Sequence, residues 1–310
     1  MYRLKLLNRR FIITYPAFLV ATFLIIIYPS CQPKSLINKT DLEREGIMKP
    51  AISAKYSNYD AREVNGKIEM LEPKDDGVLT PFSEIKKFDS KGNIIEIASY
   101  QKNGRLWQKE IFEFNENNNL ILHKESVVAN VFENSNEFNI RHEAAYKYDD
   151  KGRLISVTGR YPTGDFLFTP KRMRYVENYN HDIEYPYVVC EIATEFEDGT
   201  VKQSKRKELT DEKRNLTERI SISENYTSRS KTYYYKNKIV DSNTVDNGNE
   251  VSNYVTLFEL DKYGNYTRNS NYKFQYEYDK YGSWIKCTEY DPKGVAYKVV
   301  VREITYLNDK

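Results

Sequence analysis

The sequence predicts an all-β protein, an antiparallel meander of repeated β-hairpins forming an open, twisted or partly rolled sheet. Three observations predict it: a high aromatic content, period-two alternation along the chain, and a short glycine-centred turn motif that recurs. The aromatics number 27 Tyr, 14 Phe and 2 Trp in 310 residues. Rings at that density bury large areas and favour strands. They outweigh a mean hydropathy of -0.72, which with 30% charged residues would otherwise suggest disorder.

The turn motif reads aromatic-Asp/Asn-two residues-Gly-Asn/Arg. It occurs as Phe88-Asp89-Ser90-Lys91-Gly92-Asn93, Tyr148-Asp149-Asp150-Lys151-Gly152-Arg153 and Tyr278-Asp279-Lys280-Tyr281-Gly282-Ser283. Weaker copies end at Asn118, Gly264 and Gly294, and a shorter variant ends at Gly104. Asp or Asn caps the backbone two residues on, and Gly supplies the positive φ that tightens the turn. Asn118 tolerates the same left-handed region. Gly92 to Gly104, Gly152 to Gly164 and Gly282 to Gly294 are each 12 residues apart, one strand plus one turn. Between turns, Tyr272, Phe274, Tyr276 and Tyr278 alternate with Lys273, Gln275, Glu277 and Asp279. That is the pattern of an antiparallel sheet with one apolar and one solvated face.

The chain divides into a leader at 1–30, a tether and irregular segment at 31–80, and the repeat domain at 81–310, with a division into two lobes considered near 180–250. The leader opens with Arg3, Lys5, Arg9 and Arg10, runs through 17 uncharged residues at 11–27, and ends at Ser30-Cys31. A basic, then apolar, then small-residue order is the grammar of a secretory signal. The segment resembles a bacterial lipoprotein signal, which implies lipidation of Cys31 and a membrane tether, with the body in the cell envelope on the outer membrane. Tyr28 departs from the aliphatic residue usual three places before the cysteine. The alternative is a single N-terminal membrane anchor, for which 17 residues is short.

Without the leader the count is 47 less 4, or 43 basic residues against 45 acidic. Charges of both signs interleave, as in 85-IKKFDSKGNIIE-96, so no basic face forms and nucleic acid is not expected as a partner. Cys190 and Cys287 either pair, closing a long loop in an oxidising compartment, or remain two buried thiols.

Stretches 88–165 and 254–306, with Tyr276-Glu277-Tyr278-Asp279-Lys280-Tyr281-Gly282-Ser283-Trp284, resemble YD-repeat (RHS-like) sequences of small envelope lipoproteins. In long RHS proteins such repeats wrap into an enclosing shell; the resemblance here implies the strand-turn unit alone.

No catalytic constellation is legible, and no cofactor or metal is expected. His123, His142 and His181 lack ligand spacing and are expected to be dispensable polar residues of a wet sheet. Asp149-Asp150 is followed by cations where calcium ligands belong. Trp107 and Trp284, each just past a glycine turn, are the candidate ligand-facing aromatics for a glycan or an envelope protein; the plain alternative is packing within the sheet. The leading function is a non-enzymatic envelope binding or scaffold module. The alternatives are a structural repeat protein that pairs along a bare sheet edge and an envelope hydrolase with a spatially assembled carboxylate pair.

Overall fold

The computed structural model describes residues 40–73, 81–128, 138–162, 172–211, 215–224, 226–235, 237–248 and 250–307. Cys31 and the leader lie outside the described residues. Among the described residues one four-residue helix, α1 (Asp41–Arg44), precedes nineteen strands. They are β1 (Ala51–Val64), β2 (Lys67–Leu71), β3 (Ser83–Phe88), β4 (Ile94–Tyr100), β5 (Leu106–Phe114), β6 (Leu120–Val128), β7 (Phe138–Tyr148), β8 (Leu154–Tyr161), β9 (Met173–Glu184) and β10 (Tyr187–Phe196). There follow β11 (Val201–Thr210), β12 (Leu216–Ser223), β13 (Tyr226–Tyr234), β14 (Lys238–Asp246), β15 (Val251–Leu260), β16 (Tyr266–Arg268), β17 (Lys273–Tyr278), β18 (Trp284–Tyr290) and β19 (Ala296–Tyr306).

Each strand from β3 onward pairs antiparallel with the next, as the meander predicts. The sheet is nevertheless not open. β1 pairs with β19 from Ala51 to Asp60 on one edge and with β3 from Ser53 to Ser57 on the other. This closes a ring of 18 strands, β1 and β3 to β19, with β2 as a hairpin extending β1. The closing strand falls in the stretch read from sequence as tether and irregular structure. In its run Ala51-Ile52-Ser53-Ala54-Lys55-Tyr56-Ser57 the small residues Ala51, Ser53, Ala54 and Ser57 fall on both faces and blur the alternation. The ring also runs unbroken through 180–250.

The turns have the chemistry their residues dictate. At 89–93, Asp89 Oδ1 accepts from the Lys91 and Asn93 amides at 2.9 and 2.8 Å, and Gly92 N donates to Asp89 O at 3.0 Å. The arrangement repeats at Asp149, Asp261, Asp279 and Asp291. Gly92, Gly104, Gly152, Gly264, Gly282 and Gly294 all have φ between +72° and +87°, and Asn118 has +65°. After each of these turns the register slips by one residue, as where Lys87 opposes Glu96 but Phe88 opposes Ile94.

At Gly282 an added Cβ would also lie 3.2 Å from the Tyr263 ring. Gly282→Val is therefore expected to cost about 1–3 kcal/mol, and Lys280→Ala, on an exposed turn position, under about 0.5 kcal/mol. Gly152→Val and Lys151→Ala should show the same contrast. Equal denaturant midpoints across the four variants would refute the turn assignment.

Residues directly opposite one another on paired strands share a face. Following the register around the ring, one face carries Tyr56, Glu84, Glu110, His123, Ala144, Gly159, Tyr175, Cys190, Arg206 and Arg302. This is the inner face. Burial is the leading cause of its shifted acidities: it pushes the Tyr56 and Tyr179 phenols upward, Cys190 to about 12, and His142 down to about 3. On the other face, Lys87 is raised and Glu96 lowered chiefly by their own hydrogen bond. That outer wall is laced with ion pairs: Lys87–Glu96–Lys109 at 2.8 and 3.0 Å, Arg160–Glu143 at 2.6 Å and Lys286–Glu277 at 2.7 Å. Such exposed pairs stabilise little. They do put paired charges on the outward side of β4, β5, β7, β8, β17 and β18.

Residues 40–49 enter the ring and stopper one end. Thr40 and Glu43 form a capping box around α1. Leu42 and Ile47 pack with Ala54, Tyr56, Phe88 and Tyr306. Asp41 accepts from the Ile94 amide at 2.8 Å, and Ser283 Oγ accepts from Met48 N at 3.0 Å. The stopper thus touches the turns of hairpins β3–β4 and β17–β18.

Candidate functional site

The inner face falls into four sectors. The first is the seam behind the stopper. Arg302, 2% exposed, donates to the carbonyls of Glu45 at 2.5 Å and Gly46 at 3.2 Å, and its guanidinium lies 3.8 Å from the Trp284 ring. Glu45 accepts from Lys86 and the Tyr56 hydroxyl, both at 2.7 Å. Burial would raise the Glu45 carboxyl, but Lys86, Tyr56 and Arg302 outweigh it and hold it below its usual value.

The second sector is a column of rings. Phe112 stacks on His123 at 4.6 Å, His123 meets His142 at 5.3 Å, and His142 packs on Tyr161 at 4.6 Å. His123 Nε2 bonds Glu110 at 3.0 Å, and His142 Nε2 bonds the Tyr175 hydroxyl at 2.9 Å. His123 and His142 are buried, contrary to the expectation of wet-sheet positions. The missed signal was their period: His142 alternates in step with Ala144 and Tyr146, on the apolar side of β7. His181, half-buried, bonds Leu154 O at 2.9 Å. Among the described residues no group of three His, Cys, Asp or Glu is placed to hold a metal.

Burial lowers the His142 pKa from 6.5 to about 3, aided by His123 and Arg141. The folded imidazole binds its proton less readily than the unfolded one, so its contribution is complete above pH 6.5 and is lost as pH falls toward 3. His142→Phe is expected to flatten the acid limb of stability by up to about 1.4 kcal/mol per pH unit in that window. Parallel limbs for both proteins would refute the neutral, buried imidazole.

The third sector is an ion network. Arg206 reaches Glu177 at 3.3 Å, Glu208 at 3.1 Å and the Tyr179 hydroxyl at 2.9 Å, and Arg219 reaches Glu208 at 3.0 Å. Cys190 lies 3.8 Å from Arg206. Cys190 and Cys287 are both free and buried, so the pairing alternative does not hold. Burial raises each thiol to about 12, the chemistry of inert thiols.

The fourth sector spans β13 to β15. Three cross-strand rows run Ser228–Val245–Ser252, Ser230–Asn243–Tyr254 and Thr232–Asp241–Thr256. Tyr226 and Tyr234 extend the same face of β13, and Phe258 with Tyr266 closes it at 5.1 Å. Tyr254 is 48% exposed, yet burial raises its phenol, and it raises Tyr234 to about 12. Both rings lie on the inner face, in the register of the three rows. Asp241 Oδ1 is buried without a hydrogen-bond partner.

Of the two tryptophans singled out from sequence, Trp284 is enclosed by Arg302, Tyr56 and Tyr276, with ring centroids 5.9 Å away for each tyrosine, and serves the seam. Trp107 is the extra residue of the bulge after the Gly104 turn, half-buried at the rim away from the stopper. The β13–β15 sector escaped notice because serine, threonine and asparagine alternate there with no apolar rhythm.

No family model matches the chain, and no curated protein does. Among solved structures, a chain in the crystal structure of TcdB2-TccC3-Cdc42 is similar at 13% identity over 69% of this chain, with a TM-score of 0.25. This chain spans 15% of that one. A porin-like protein from Bacteroides uniformis is similar at 11% identity over 83% of this chain and 97% of its own, with a TM-score of 0.35. At those scores neither likeness bears on function.

Proposed function

We propose that the chain is a non-enzymatic binding barrel of the bacterial cell envelope, tethered through lipid on Cys31 and receiving a glycan or protein ligand inside the ring. The observation that carries the reading is the β13–β15 sector, whose inward tyrosines are half-exposed while the other inner sectors are filled by their own contacts. The ion pairs along the outer wall support a tethered body over a membrane-spanning one, whose lipid-facing band would exclude charge at mid-height. Ring closure leaves the edge-pairing alternative without its long bare strand among the described residues. The hydrolase alternative lacks a free acid pair in the ion network, where Glu177 and Glu208 are committed to Arg206.

A photo-crosslinking residue at Tyr254 is expected to capture an envelope component in living cells, and the same residue at Lys109 on the outer wall is not. Equal capture at both positions, or none at Tyr254, would remove the reading. Fatty-acid labelling that persists in Cys31→Ala would remove the tether.

A further inference from the structure

We infer that the β13–β15 sector is a binding site for a neutral carbohydrate. This deepens the proposed binding role by naming the chemistry of its ligand.

The lining argues it. Its rows are hydroxyl, amide and aromatic, and Asp241 is the one charged side chain in them. Sugar rings present an apolar face edged by hydroxyls, which calls for an aromatic platform beside short polar groups. Tyr254, 48% exposed, supplies the platform, with Tyr226 and Tyr234, 37% and 43% exposed, flanking it toward the two ends of β13. Ser230 and Asn243 lie in the same row as Tyr254. Asp241 Oδ1, buried and unpartnered, is an acceptor waiting for a donor, and leaving such an oxygen unpaired is costly. A sugar hydroxyl satisfies it.

The charge also selects the ligand. A lone carboxylate with no cation in its rows repels uronates, phosphates and sulfates, while Arg219, the nearest inward cation on β12, is held by Glu208 at 3.0 Å. A peptide ligand would demand main-chain partners along an edge, and β13 to β15 are paired on both sides.

The test is a broad array of neutral and anionic glycans probed with the mature chain, followed by titration of the best neutral glycan. Wild type is expected to retain neutral glycans, with Tyr254→Ala and Asp241→Ala each at least tenfold weaker. Tyr185→Ala, at an exposed hairpin tip outside the sector, should bind as wild type does. Unchanged denaturant midpoints would show that the variants fold. Retention of anionic glycans alone, retention of none, or equal binding by Tyr254→Ala and Asp241→Ala would overturn the assignment. Capture from position 254 without glycan binding would retire the carbohydrate and leave the binding barrel standing.

Discussion

Arg302→Ala is expected to destabilise the protein by about 3–5 kcal/mol, the scale for stripping the partner from a buried ionic cluster. The side chain bridges wall and stopper: it holds two stopper carbonyls and covers the Trp284 ring. Its loss orphans both carbonyls in a buried setting and removes a desolvated cation–π contact. Residues 40–49 should then become the first site of proteolysis. Lys55→Ala, which removes an exposed pair with Glu303 at 3.6 Å, should cost under about 1 kcal/mol. Similar denaturant midpoints for the two variants would refute the seam. The same seam sets an acid limit. The folded Glu45 carboxyl titrates below the ordinary glutamate value of 4.5, so its contribution is complete above that value and fades as pH falls further.

The second large effect is steric. A Cβ at Gly159 would fall 2.2 to 2.4 Å from three atoms of the Tyr175 phenol. Neither strand can yield, because Gly159 opposes Tyr175 on one side and Ala144 on the other. Gly159→Val is expected to cost about 3 kcal/mol or more through overpacking. It should also dislodge the Tyr175 hydroxyl from His142. Tyr175→Ala alone is destabilising, yet the double variant should be more stable than the sum of the two losses predicts. Strict additivity would show that the ring and the glycine do not meet.

The turns were the most legible part of the fold, because Asp and Gly act within five residues and need nothing distant. The alternation of Phe274, Tyr276 and Tyr278 against Gln275 and Glu277 was legible for the same reason. It places the rings on the face shared with Cys287 and Val300. Closure was not legible: β1 meets β19 across almost the whole chain, and no local pattern records that pairing. An open sheet was therefore the natural reading. The seam was hidden for a related reason. Arg302 looks like an ordinary surface cation in the run Val301-Arg302-Glu303 until Glu45 arrives from 257 residues away. Trp284 was noticed for its place after a turn, but beside its neighbour Tyr276 its partners Tyr56 and Arg302 come from β1 and β19. The candidate site was hardest to see, because its chemistry lies in short polar side chains that sequence reading assigns to loops.

Closing the ring with its first and last strands has a consequence for how the chain must be made. While residues beyond β1 are still emerging, the growing sheet has two bare edges, each able to recruit another chain. They disappear only when β19 reaches β1, a late and entropically costly contact between stretches far apart in the sequence. The sheet therefore stays open, exposed to misassembly, until β19 (Ala296–Tyr306) has been made and can reach β1.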